Sequence, residues 1–300
     1  MFDVAAIRRQ FPALPIHDHG APRIYFDNPA GTQVPQRVID RTVEALAAKN
    51  ANLGGYFRTT VEAGQLVDEA HAAVASLYGA ASPDEIVFGQ NMTTLTFHMS
   101  RCLGRRFKAG DEIVLSRMDH DANISPWLLL AEDKGLTVRW MDFDPGTYEF
   151  ADDALTKVLS PRTRLVAFGY ASNCTGTIND VERFCAEARA AGALTYVDAV
   201  QFAPHGLVDV QALGCDILVS SAYKWFGPHM GILWARESLL RETFPYKVRP
   251  AGHRWPPFET GTLHEGMAGV LGAVEYIESL GTGPTRRARI ASSWAAMGTL

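Results

Sequence analysis

The sequence predicts an α/β protein with a mostly parallel sheet wrapped by helices, and three observations point to it. Short runs rich in Val, Ile and Leu alternate along the chain with helix-period segments, the order that builds parallel sheets. Several of those runs are apolar almost without a break, as in strands covered on both faces. The chain has 300 residues, 47% hydrophobic and 20% charged, enough for one large domain or a large domain with a smaller one.

The strand candidates, in order, are EIVF (85–88), EIVLS (112–116), TVRWM (137–141), TRLVAFGY (163–170), LTYVD (194–198), DILVS (216–220) and GILWA (231–235). Between them lie helical patterns. Over 63–79, Val67, Ala70, Val74 and Leu77 make a stripe, and Gly79 is placed to end the helix. Over 181–188, Val181, Phe184, Cys185 and Ala188 follow the i, i+3, i+4, i+7 spacing, with Asp180 at the N-cap position. In a sheet of this kind ligands bind beyond the carboxyl ends of the strands.

Composition narrows the function classes. A net charge of -5 argues against nucleic acid as a main partner, because phosphate backbones want a basic face. Cys102, Cys174, Cys185 and Cys215 form no CxxC pair, which fits core packing in a reduced compartment better than a disulfide framework or a zinc site. MFDVAAIRRQF has no apolar signal-peptide core, and no stretch approaches a membrane-spanning length. A cytoplasmic enzyme is expected.

Polar residues collect where the apolar runs end. After EIVFG, Thr93 and Thr94 open a helix in QNMTTLTF (90–97). Free N–H groups and two hydroxyls there make an anion site, most naturally for phosphate, unless the threonines are ordinary caps. After EIVLS, RMDHDANISPW (117–127) sets His120 between Asp119 and Asp121. One imidazole beside adjacent carboxylates lacks metal-ligand spacing. It can stack on a flat ligand, move a proton, or be a satisfied surface histidine.

Asn173 lies two residues before the Thr175-Gly176 turn and can do no more than shape it. LTYVD closes on Asp198, with Gln201 three residues further on. A partly desolvated aspartate needs a cationic or N–H partner, and capping the next helix would also satisfy it. DILVS leads into Ser221, Tyr223 and Lys224. A lysine at the end of a buried strand either snorkels to water or is held at a lowered pKa as a nucleophile toward a carbonyl carbon.

Taken together these residues describe one ligand. An anion cradle, a flat face to stack on, a carboxylate for a ring N–H and a lysine for an aldehyde match pyridoxal 5′-phosphate, whose protonated ring is an electron sink. Asp198 and Lys224 are 26 positions apart (224 minus 198), room for one crossover and a strand, so adjacent strand ends could bring them to opposite ends of the ring.

On these motifs the chain resembles the class V aminotransferase group of pyridoxal-phosphate enzymes, and within it the cysteine desulfurase and selenocysteine lyase branch. YFDNPAGTQVP (25–35), NMTTLTF, DHDANISPW, YVDAVQ, SAYKWFGPHMG and FETGT (258–262) run in family order from about residue 25 to about 275. The resemblance implies an aspartate aminotransferase-like, fold type I large domain over 21–265. Residues 1–20 would be the N-terminal segment of a small domain. Residues 266–300 would be a helix leading toward a C-terminal part that is mostly absent and that carries the substrate-binding arginine and, in desulfurases, a sulfur-accepting cysteine.

It also implies site roles. Lys224 would hold the cofactor's aldehyde carbon and shuttle protons, Asp198 would pair with the ring nitrogen, and His120 would stack on the ring. Gln201 would bond the phenolic oxygen, and Asn173 that oxygen or the substrate carboxylate. Thr93, Thr94, Ser221 and Tyr223 would bind phosphate, and Thr262 would reach the phosphate of a neighbouring subunit in a homodimer. Where desulfurases have histidine before the lysine, this chain has Tyr223, whose hydroxyl can donate to phosphate but cannot carry protons near neutral pH. The expected activity is L-cysteine to L-alanine with sulfur transfer, which makes a sulfur-acceptor protein a candidate partner. The alternatives are a class V aminotransferase or other lyase on another small amino acid, and a chain that binds the cofactor with little or no turnover.

Overall fold

The computed structural model describes residues 3–248, 258–259 and 263–299. A short helix α1 (Val4–Arg8) and a hairpin of β1 (His17–Asp18) and β2 (Ala21–Pro22) come first, followed by the long helices α2 (Gln36–Ala48) and α3 (Arg58–Tyr78). Helix α3 begins five residues before the predicted segment. Its first buried residue is Ala63, so the opening turn carries no core side chain and leaves no apolar period to read. It ends as expected: Gly79 takes the left-handed conformation at φ 69°, and the Ala80 N–H reaches back to Ala75 O.

The body of the chain alternates strand and helix: β3 (Ile86–Gly89), α4 (Met92–Gly104), β4 (Glu112–Ser116), α5 (Ser125–Lys134) and β5 (Thr137–Met141). Then come β6 (Thr163–Gly169), α6 (Val181–Ala190), β7 (Leu194–Asp198), the one-turn α7 (Val210–Leu213), β8 (Ile217–Ser221) and β9 (Gly231–Ala235). Helices α8 (Glu237–Glu242), α9 (His264–Ser279) and α10 (Arg286–Met297) follow.

Among the described residues, β3 to β9 form one sheet in the order β3-β9-β8-β7-β6-β4-β5. Strands β4 to β8 pair in parallel, while β9 runs antiparallel to both β8 and β3. The alternation of side chains across the sheet divides the core in two. Ile86, Phe88, Val114 and Leu218 join α3, α6, α9 and α10 on one face. Val87, Ile113, Leu115 and Val219 join α4 and α5 on the other, where Trp127 is fully buried. Near the N-terminus, Phe11 packs edge-on against Phe226 and Tyr276, with ring centroids 6.1 and 5.4 Å away, which ties the leading segment to this core.

Cys102, Cys185 and Cys215 are buried and Cys174 is exposed, all as free thiols. Among the described residues no helix is long and apolar enough to cross a membrane, and no cluster of His, Cys, Asp or Glu is placed to hold a metal ion.

Candidate active site

The parallel strands deliver their polar ends to one edge. Asp198 closes β7, and its register partner on the adjacent β8 is Val219, two residues before Ser221. A single tight turn, Ala222–Lys224, then carries Tyr223 and the lysine. Residues 29–32, from far earlier in the chain, fold over this turn. Thr32 donates N–H and Oγ1–H to Tyr223 O and accepts the Phe226 N–H at 2.7 Å, and Lys224 Nζ donates to Pro29 O. Phe226 is held at φ 70°, a conformation that costs a non-glycine residue about 1–3 kcal/mol. The Thr32 bond and ring contacts to Phe11 and Tyr276 fix it there.

A cavity of about 520 Å³ opens at this edge, within the usual range of roughly 300–1,000 Å³ for small-molecule sites. Of the residues singled out in the sequence, Thr93, His120, Asn173, Asp198, Gln201, Ser221, Tyr223 and Lys224 line it. Thr94 does not. Its hydroxyl accepts the Asn91 N–H and donates to Asn91 O, closing a capping box at the start of α4. Thr262 lies outside the described residues. A larger groove of about 750 Å³ between α2, α9 and α10 is lined by arginines and acids that pair with one another, such as Arg41 with Glu275 and Arg286 with Glu278.

The electrostatics of the smaller cavity differ from one end to the other. Burial pulls the Lys224 ammonium below the usual lysine range, against the carboxylates of Asp198 and Asp27. Burial also pushes Asp198 up to about 6, opposed by the Val200 N–H on Oδ1 and by the charges of His120 and Lys224. The start of α4 forms another wall of the cavity, with the Thr94 N–H capped by Asn91 Oδ1. Ser221 Oγ accepts the Met92 N–H at 3.0 Å, which leaves its own hydroxyl proton to donate into the cavity. His120 accepts the Ala122 N–H on Nδ1 and presents an exposed ring to the cavity.

The structure adds lining residues that the sequence did not point to as ligands, chiefly Asp119, Asn179 and His229. Asp119 Oδ1 accepts from Asn123, while burial, with the Asp198 charge contributing, pushes the carboxyl up to about 7. Asp119 Oδ2 and Gln201 Oε1 are both buried with no hydrogen-bond partner. An unpaired buried polar atom costs roughly 1–3 kcal/mol, so these walls are built to meet polar groups of a ligand. Pyridoxal phosphate fits them: a ring N–H for Asp198, a phenolic oxygen for Gln201, a flat face for His120 and a phosphate for the α4 end.

Residues 24–282 match the class-V aminotransferase family. The chain belongs to that family. Among its relatives is the cysteine desulfurase of Serratia proteamaculans (strain 568), 35% identical over 93% of this chain and 73% of that one. The cysteine desulfurase of Yersinia pestis (strain Pestoides F) is 34% identical over 95% and 74%. Of solved structures, the cysteine desulfurase from Thermococcus onnurineus NA1 superposes with a TM-score of 0.84 at 28% identity, covering 93% of this chain and 72% of that one. The cysteine desulfurase CsdA from Escherichia coli gives 0.77 at 28% identity, covering 93% and 75%. Members of the class-V aminotransferase family use pyridoxal phosphate, the cofactor the cavity fits.

Proposed function

We propose that this chain is a pyridoxal-phosphate enzyme of cysteine desulfurase type, acting on L-cysteine to give L-alanine and passing the sulfur to an acceptor protein. It would work as a homodimer with shared sites, with Thr262 reaching a neighbour's phosphate. One observation carries the reading: Lys224 and Asp198 stand at the ends of adjacent parallel strands and face one cavity. The desulfurase relatives and structures support it at the level of the whole chain.

When bound, pyridoxal phosphate supplies an electron sink for the carbon beside the substrate amine. Lys224, its basicity already lowered by burial, takes and returns the proton at that carbon. Asp198, with one oxygen occupied by the Val200 N–H, holds a proton at the ring nitrogen. His120 lays its ring against the cofactor and Gln201 binds the phenolic oxygen, which sets the ring plane. Asn173, exposed at the mouth, receives either that oxygen or the substrate carboxylate. Thr93, Ser221 and Tyr223 anchor the phosphate end, and Thr94 contributes through the helix start it caps.

Burial pushes the thiols of Cys102 and Cys185 up to about 11, and that of Cys215 higher still. Those three are not thiolates at neutral pH, and exposed Cys174 lies outside the cavity lining. The reading therefore gives sulfur acceptance to a thiol other than these four.

The test begins with colour. Apoprotein given pyridoxal phosphate should turn yellow, and borohydride should fix the cofactor to Lys224; a colourless product would overturn the reading. Loaded protein with L-cysteine and a thiol acceptor should release alanine and sulfide. Ketoacid-dependent amino transfer without sulfide would move the chain to the aminotransferase alternative.

A further inference from the structure

We propose that His229 is the cationic ligand of the cofactor's phosphate in this chain, an assignment that rests on the pyridoxal-phosphate reading. A phosphate brings up to two negative charges, and its cradle gains most from a charged donor. Lys224, His120 and His229 are the basic side chains that line the cavity among the described residues. Lys224 is committed to the aldehyde and His120 to the ring face, and both lie in the field of the Asp198 carboxylate. Thr93, Ser221 and Tyr223, the groups assigned to the phosphate, carry hydroxyls and no positive charge of their own.

His229 lies beside these hydroxyl groups. Its ring stacks on Tyr223 with centroids 4.6 Å apart and planes 5° from parallel. Two residues later, the start of β9 is pressed onto the start of α4. A Cβ on Gly231 would fall 2.3 Å from the carbonyl carbon of Asn91, so only glycine allows this approach. The packing sets residues 228–230 beside the start of α4. The His229 side chain is exposed, and among the described residues its ring nitrogens have no hydrogen-bond partner. Tyr223 serves as the platform that orients the imidazole, and burial keeps its phenol protonated by pushing it above the ordinary tyrosine range. Imidazole is the side chain that takes up positive charge near neutrality.

The experiment compares two ligands that differ only in the phosphate. Apoprotein of the unsubstituted chain, His229→Gln and His229→Lys is titrated with pyridoxal phosphate and with pyridoxal, following the absorbance of the coloured adduct. Loss of one charge-assisted hydrogen bond should weaken pyridoxal phosphate binding roughly tenfold to a hundredfold in His229→Gln. Pyridoxal binding should not change, and His229→Lys should recover most of the loss. The side chain is exposed, so the fold should survive both changes, as a thermal melt would verify. Equal weakening of both ligands, or unchanged affinity for pyridoxal phosphate, would overturn the assignment of His229 alone. Failure of the unsubstituted chain to bind either ligand would overturn the cofactor reading beneath it.

Discussion

Asp198 and Lys224 are each moved toward neutrality by burial, and each feels the charge of the other. A cationic ring nitrogen brought to Asp198 would complete a buried ion pair, and breaking such a pair by removing one partner costs about 3–5 kcal/mol. Asp198→Asn should therefore still form the coloured, borohydride-fixable adduct, with turnover reduced a hundredfold or more. Turnover within a few-fold of the unsubstituted enzyme would remove Asp198 from the mechanism. Both residues were legible in the sequence because each interrupts or closes a run that is otherwise apolar. His229 and the buried Asp119 Oδ2 were not, since the place of the first depends on how β9 packs on α4 and the second stands out for a missing partner that only the fold reveals. His229 precedes a strand, and only the direction of that strand tells whether its beginning lies at the ligand edge.

At the scale of elements, α3 and β3 are joined to Glu259 through one buried pair. His71 donates Nδ1–H to Val67 O at 2.8 Å and Nε2–H to Glu259 Oε1 at 2.6 Å, and the same oxygen accepts the Phe88 N–H. Burial works against the imidazolium, but Glu259, the Val67 carbonyl and Asp68 outweigh it and hold His71 above its ordinary 6.5. A raised pKa means that the pair's stabilisation is fully present below pH 6.5 and fades as pH rises through the higher folded value. The melting-temperature gap between the unsubstituted chain and His71→Gln should be widest in mild acid and narrow at alkaline pH; a gap independent of pH would refute the charged pair.

All seven strands of the large sheet were readable, four of them at their carboxyl ends to the residue, because continuous apolar runs bounded by polar residues are strong signals. The reversal of β9 was not readable, since a run of Ile, Leu and Trp carries no direction. The pairing between Glu259 and His71 was equally silent, being 188 positions long-range.

For the whole molecule, acid should be a specific stress. Glu112 is fully buried at the start of β4, where Arg139, Arg162 and Ser160 bond its carboxylate and hold it at about 2 instead of 4.5. Its contribution is present above pH 4.5 and lost as pH falls toward 2. Glu112→Gln should accordingly be less stable than the unsubstituted chain at neutral pH, with the difference shrinking over that window in pH-dependent chemical unfolding. The exterior also carries apolar side chains, with Phe26 92% and Phe57 80% exposed and Ile39, Val43 and Leu46 along one side of α2. Sedimentation should give twice the 32.8 kDa chain mass, and a single-chain mass at micromolar concentration would contradict the homodimer.

The backward run of β9 has a last consequence. Parallel neighbours need a crossover of a dozen residues or more, whereas Ser221 and Gly231 are register partners across a return of nine residues, 222 to 230. The amine that would grip the aldehyde and the imidazole assigned to the phosphate are thus spaced by one short arc clamped at both ends. Inserting even one amino acid into that arc would have to bulge outward or slip β9 by a step, exchanging its inner and outer side chains. Variation in this neighbourhood is therefore open to changes of side chain and closed to changes of length.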